Sequence, residues 1–328
     1  MSVLVTGASG FIGGNVVRML VEGGKEVVAF DTNLPGPQSV LADMISKVKF
    51  VAGNITDMSY LLNTAKEHNV EGIFHLAALL RSACNLRPVE GMRTNIEGTA
   101  NVLEVARMLN VRRVVCATCG SATGSLMDMS KPTKETDYAL PIQGIYGLTK
   151  LVSEQLCFNY RQIYDVDAVA VRGRGIYGPG YFHALTEPLP IDILIQDAVA
   201  GKPINVAKAG DTSFEYTYVK DYVRCMLLAY EAKELKDWLF NASFSQLRSI
   251  FQVVDVLRGI FPKLPIEVGH GDWEDMVHGY YKGKKARRSL RPPADISRAH
   301  DELGWEPQYD IERGIPANVA WLKERKYL

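Results

Sequence analysis

The chain predicts an α/β fold, a doubly wound parallel sheet followed by a smaller C-terminal domain, on three observations. Short β-branched runs alternate with segments of helical period through the first half. A glycine turn follows the first run directly. From about Gly173 the alternation gives way to Gly, Pro and aromatic residues, as in Gly178-Pro179-Gly180. Repeated strand–helix–strand units put helices on both faces of a parallel sheet, and such a sheet binds ligands at the carboxyl ends of its strands.

In chain order, a strand at residues 3–5 feeds a helix at 12–22 whose apolar residues stand three and four apart. Strands at 26–30 and 49–52 follow, then helix 58–67, strand 72–77, helix 95–109, strand 111–117, helix 147–164 and strand 167–172. A helix at 191–200 opens the second domain, and residues 238–242 are expected to return as a last strand of the first sheet. The 328 residues, at about 150 per domain, thus read as 1–172, completed by a strand near 237–243, and an interleaved 173–328.

Charge and composition exclude several functions. Lys plus Arg and Asp plus Glu are equal at 37 each, so no basic excess exists to hold a phosphate backbone and no nucleic-acid partner is expected. Hydrophobic content of 47% fits a folded chain rather than disorder. No apolar run approaches the ~20 residues of a membrane span, so no membrane partner is expected. Residues 2–7 enter a strand at once, without the basic start and apolar core of a signal peptide. Five cysteines are too few and too odd for a disulfide framework, and a reducing cytoplasm is the expected setting. The Cys116-x-x-Cys119 pair lies along a buried strand, where a structural role is expected rather than a redox one. Six scattered histidines lack ligand spacing, so no metal is expected.

Thr6-Gly7-Ala8-Ser9-Gly10-Phe11-Ile12-Gly13 joins the first strand to the first helix. Gly7 permits the tight turn, Gly10 lets backbone approach a pyrophosphate, and Gly13 allows close helix–strand packing. The helix start, with its unpaired N–H groups and dipole, favours the negative charge. Asp31 ends the second strand, where its carboxylate accepts ribose hydroxyls and repels a 2′-phosphate. The coenzyme expected of this Rossmann-type motif is therefore NAD rather than NADP.

Tyr146-Gly147-Leu148-Thr149-Lys150 opens the long helix, and a spacing of four puts Tyr146 and Lys150 on one face. A phenol has an unperturbed pKa near ~10, too high for a base at neutral pH. A neighbouring ammonium and the positive charge of an oxidised nicotinamide would lower it. Tyr146 is then placed to take the proton from a secondary alcohol as hydride leaves.

These motifs, taken together, resemble the extended short-chain dehydrogenase/reductase family, the NAD-dependent epimerase/dehydratase group, nearly end to end. Thr6–Gly13 is similar to the family's glycine loop, and Gly53-Asn54-Ile55-Thr56-Asp57 to its adenine-flanking segment. His75-Leu76-Ala77-Ala78 resembles the motif beside the pyrophosphate, and Asn95-x-x-Gly98-Thr99 the helix that braces the site. Arg172 through Ile176-Tyr177-Gly178-Pro179 resembles the stretch passing the nicotinamide. Tyr218-Val219-x-Asp221 and Asp295-Ile296-Ser297 through Leu303-Gly304-Trp305 resemble late signatures. The resemblance implies a coenzyme site at Gly7, Ser9, Gly10, Phe11, Ile12, Gly13, Asp31, Asn54, Ile55, Leu76, Ala77, Ala78, Asn95 and Ile176. It also implies that Lys150 binds the nicotinamide ribose, and that helices 95–109 and 147–164 join two copies into a homodimer.

The chain departs from the family at three places. The hydroxyl that holds substrate oxygen beside the tyrosine falls, by position, on Cys119, and a thiol is a weaker donor. Ser121 is the expected substitute, with Cys119 and Thr118 the other candidates. Gly175 stands where nucleotide-sugar members carry Asn, and Phe214 where they carry a phosphate-gripping Arg, which argues against a nucleotide diphosphate. A basic cluster from Lys282 to Arg291 reads as a solvated loop or an anion contact, and Arg288 or Arg291 falls where another phosphate-binding arginine is common. Arg81, Arg174 and His183 are further pocket candidates. The leading expectation is an NAD-dependent dehydrogenase for a small sugar-like or acidic alcohol. A (nucleotide-)sugar epimerase with tightly bound NAD is the alternative, and an NAD-binding regulatory protein is the alternative of another class.

Overall fold

Alternation along each strand decides how the chain layers. The computed structural model describes residues 1–124, 130–142, 144–181, 189–206, 208–271 and 291–325. The first part runs β1 (Ser2–Thr6), α1 (Phe11–Glu22), β2 (Val27–Asp31), β3 (Lys49–Ala52), α2 (Met58–Glu67), β4 (Val70–His75), α3 (Arg81–Leu86) and α4 (Pro88–Met92). A π-helical turn at Arg93–Glu97 leads into α5 (Gly98–Leu109), β5 (Arg113–Cys119), α6 (Ile145–Tyr164) and β6 (Ala168–Gly173). Then come β7 (Ile176–Tyr177), α7 (Pro190–Val199), β8 (Ile204–Val206), β9 (Ser213–Glu215), β10 (Thr217–Tyr218) and α8 (Val219–Glu231). The chain continues through β11 (Leu239–Ala242), β12 (Leu247–Ser249), α9 (Ile250–Ile260), β13 (Ile266–Val268), α10 (Ser297–Leu303) and α11 (Ile311–Glu324).

Seven strands form one parallel sheet in the order β11-β6-β5-β4-β1-β2-β3. Val3, Val5, Val115, Val169 and Val171 face α1 and α8 in one core. Leu4, Val114, Cys116, Ala168 and Ala170 face α2, α5 and α6 in the other. Both faces are covered, so the strands read as near-continuous apolar runs. Strand order reverses between β1 and β4, and the crevice at their carboxyl ends is where such a sheet takes a ligand.

The expected doubly wound sheet is present, with shifted ends. Residues 76 and 77 leave β4 because their N–H groups turn toward Thr6. β5 begins at Arg113 because Asn110 takes a left-handed conformation (φ 50°) and Val111 N–H bonds back to Ala106 O. The expected last strand exists: β11 pairs with β6, Leu239 beside Ala170. Around a third core, β7 pairs with β10, β9 with β12 and β8 with β13, packed by α7, α9 and α11. The two late signatures meet against the first core: the fully buried Trp305 donates from its indole to Asp221 O (2.9 Å), and Asp221 accepts from Tyr309 N–H (2.8 Å).

Candidate active site

The β1–α1 turn is closed to any side chain at two of its glycines. Gly7 sits at φ +70°, and a Cβ there would stand 2.6 Å from Ala77 N. A Cβ on Gly13 would lie 2.0 Å from Gly7 O, so only glycine lets α1 start this close to the turn. Gly10 caps α1 without a side-chain hydrogen bond, and no acidic residue stands in its first turn. The orphan N–H groups of Phe11, Ile12 and Gly13 thus face no protein anion, which suits a pyrophosphate. Asp31 Oδ2 accepts from Ser9 N–H (3.0 Å) and Oδ1 from Asn33 N–H (3.2 Å), so the carboxylate is fixed beside the turn. These residues fit a dinucleotide. Asp31→Asn is expected to weaken NAD binding about 10- to 100-fold, the range of a charged hydrogen bond, and to narrow the preference over NADP; fluorescence titration with both coenzymes checks this.

Behind the cradle lies a buried relay. His75 Nδ1 pairs with Thr6 Oγ1 (2.8 Å) and Nε2 with Thr99 Oγ1 (3.0 Å), and burial, with Lys150 nearby, lowers its pKa to about 3, so it stays neutral. Asn95 accepts from Leu79 N–H (2.8 Å) and donates to Leu79 O (2.9 Å) and Thr149 Oγ1 (3.1 Å). Its amide holds the loop after β4, and its carbonyl takes the Thr99 and Ser153 hydroxyls. Asn95, expected in the coenzyme site, thereby braces the loop that follows β4. Ile55 is likewise a core side chain, against which a Gly98 Cβ would collide, while Asn54 beside it is exposed. Leu76, Ala77, Ala78 and Ile176 are half-buried at the strand ends, where the sheet leaves its ligand crevice.

At the reactive end, Tyr146 and Lys150 stand one turn apart on α6. Lys150 Nζ donates to Ala117 O (3.0 Å) and lies 5.8 Å from the Tyr146 ring centroid. The Cys119 thiol lies beside the Tyr146 hydroxyl. Burial, then the Cys119 thiol, push the phenol well above its ordinary range, while the Arg81 charge pulls the other way. Burial also lowers Lys150. Among the chain's own groups, burial dominates the phenol.

The strand pleat sorts the three hydroxyl candidates. Thr118 shares the Cys116 face and donates to Glu154 Oε1 (2.8 Å), so it is turned away from Tyr146. Ser121 Oγ accepts from Arg81 Nη2 (3.3 Å). Cys119 faces the phenol. Cys116 packs in the core beside Cys157, and no disulfide joins the described cysteines. Arg174 is buried beside Gly120 and donates to Pro292 O (2.7 Å), one residue from Arg291. His183 and Arg288 lie outside the described residues.

Two residues escaped sequence reasoning. Glu154, four after Lys150, is fully buried and grips Arg172 through both oxygens (2.9 and 2.8 Å). Its spacing from Lys150 was the available signal. Arg248 stands opposite Phe214 in the β9–β12 pair, its guanidinium 5.6 Å from the Phe244 ring centroid; no motif marked it.

Fold and cradle together define an NAD-dependent oxidoreductase scaffold of the extended short-chain type. The family model described as "NAD dependent epimerase/dehydratase family" matches residues 3–241, and the chain belongs to that family. It is 28% identical to the dTDP-glucose 4,6-dehydratase of Xanthomonas campestris pv. campestris strain B100, covering 97% of this chain and 92% of that one. It is 28% identical to the UDP-glucuronate 4-epimerase of Thermodesulfobacterium geofontis (98% and 96% covered). The UDP-glucose 4-epimerase of Thermotoga maritima, solved with UDP-glucose, superimposes with TM-score 0.83 at 26% identity over 99% of both chains. The chain is an enzyme with NAD as coenzyme, which closes the regulatory alternative. No helix among the described residues is long and apolar enough to cross a membrane.

Proposed function

We propose that the protein is a dehydrogenase that oxidises a secondary carbinol of a small, sugar-like or acidic substrate, with Tyr146 as base. One observation carries the reading: a half-buried Tyr146 stands one helical turn before Lys150, whose Nζ reaches the Ala117 carbonyl near the carboxyl end of β5. Bound NAD supplies a hydride acceptor and a positive ring charge. Gly7, Gly10, Gly13 and the start of α1 hold the diphosphate, Asp31 the ribose, and Lys150 the second ribose. Tyr146 Oη takes the carbinol proton. Cys119 Sγ, beside the phenol, shares that oxygen; Ser121 Oγ accepts from Arg81 and keeps its own O–H free to donate, so it is the second candidate.

Cys119→Ala is expected to lower kcat about tenfold, one hydrogen bond's worth, and Cys119→Ser to hold or raise it. Ser121→Ala is expected to stay within about twofold of wild type. Steady-state NADH formation checks all three, and a large loss confined to Ser121→Ala returns the role to Ser121.

A small substrate is supported by Gly175 and Phe214. Gly175 sits at φ +52°, and a Cβ there would lie 1.9 Å from Glu215 O, so no Asn fits. Phe214 packs on Tyr216 with ring centroids 5.6 Å apart. Epimerisation shares the first proton and hydride transfer, and the epimerases among the relatives favour it as second reading. Screening sugars, sugar acids, hydroxy acids and nucleotide sugars separates the two. Stoichiometric NADH supports the dehydrogenase; NAD that survives gel filtration with product formed but no free NADH supports the epimerase. The reading includes a homodimer in a reducing cytoplasm, supported by outward Leu148, Phe158 and Ile163 on α6 and Met108 on α5, and tested by sedimentation velocity.

A further inference from the structure

Arg174 leaves the end of β6 and is more than nine-tenths buried. One nitrogen anchors it: Nη1 donates to Pro292 O (2.7 Å) and lies 3.5 Å from Glu215 Oε2. Glu215 is itself held by the Ser245 and Ala294 N–H groups. The other two nitrogens, Nε and Nη2, are shut from water and have no hydrogen-bond partner among the described residues. Those two atoms form the side-on edge of a guanidinium, whose parallel N–H bonds match the two oxygens of a carboxylate. Leaving that edge unmatched in a low-dielectric interior is costly, and such a group calls for a partner.

The edge also has an address. A Cβ on Gly120 would stand 2.9 Å from Arg174 Nε, so the guanidinium lies against the residue between Cys119 and Ser121. Cys119 faces the reactive phenol, and Ser121 is held by Arg81. A two-pronged anion receptor thus lies against the residue that follows Cys119, the thiol beside the proposed proton acceptor Tyr146.

We propose that Arg174 is the carboxylate receptor of the substrate site and that the enzyme acts on hydroxy acids or sugar acids. The Nε–Nη2 edge takes the acid group while Tyr146 meets a carbinol further along the same molecule. This deepens the dehydrogenase reading and rests on it for the carbinol, but not for the acid.

Calorimetric titration, with and without NAD, of glycerate and gluconate against their neutral counterparts glycerol and sorbitol tests the proposal. At least one acid is expected to bind at least about tenfold more tightly than its neutral counterpart. Arg174→Gln is expected to weaken acid binding about 10- to 100-fold while leaving NAD affinity unchanged. Because that change strands the buried Glu215 carboxylate, Arg174→Gln with Glu215→Gln provides the folded control, judged by melting temperature and NAD binding. The proposal is overturned if neither acid outbinds its neutral counterpart, or if the folded double variant binds acids as wild type does. NADH formation is followed in parallel. Acid binding that depends on Arg174 without NADH from any alcohol upholds the receptor and sinks the dehydrogenase. NADH from neutral alcohols, unchanged in the double variant, does the reverse.

Discussion

Tyr146→Phe is expected to lower kcat by about 10²- to 10⁴-fold, the usual contribution of a positioned acid–base group, with NAD affinity within about twofold of wild type. The substitution removes one oxygen and keeps the ring, so packing at the start of α6 is preserved. Only the phenolate accepts the carbinol proton, and burial raises the phenol's pKa. The reactive fraction therefore grows as pH rises, and kcat/KM is expected to climb about tenfold per pH unit below the apparent pKa. The Phe variant should lose that slope along with the rate. Stopped-flow measurement of NADH formation between acid and alkaline pH reads both effects; a Phe variant that keeps a tenth of the wild-type rate removes Tyr146 from the mechanism.

Legibility in the sequence followed the range over which each determinant acts. Period and glycine position are local properties, so the sheet, the β1–α1 cradle and the Tyr146–Lys150 face could be read from neighbours in the chain. The choice among Thr118, Cys119 and Ser121 could not, because it depends on where β5 ends. A strand ending at residue 117 leaves the three in a turn of unknown direction; the observed strand continues to Cys119 and sends Thr118 to the Glu154 face. Asn95 reads as a coenzyme-site residue from its motif, but that its amide also binds Leu79 and Thr149 is a fact that needs α6 in place. The unmatched edge of Arg174 is still further from sequence, since it arises from what Pro292 and Glu215 leave untouched.

Glu154→Ala should produce the largest loss of stability, about 3–5 kcal/mol, against a total that for most domains is only about 5–15 kcal/mol. Glu154 and Arg172 are both fully enclosed, and the carboxylate also accepts from Thr118 Oγ1 (2.8 Å) and Tyr138 Oη (3.2 Å). Truncating it strands a guanidinium and two hydroxyls in the interior, and the stranded charge dominates the cost. A double replacement by apolar residues, Glu154→Leu with Arg172→Met, is accordingly expected to melt above Glu154→Ala alone, because no charge is then left unpaired. Thermal melting of the three proteins decides it; a double variant less stable than the single one means that the hydrogen-bond network, not the ion pair, holds α6 to the sheet. The consequence reaches the chemistry, since Glu154 fixes α6 one turn beyond Lys150. A folded Glu154→Ala protein is expected to bind NAD less tightly as Lys150 loses its fixed approach to the Ala117 carbonyl.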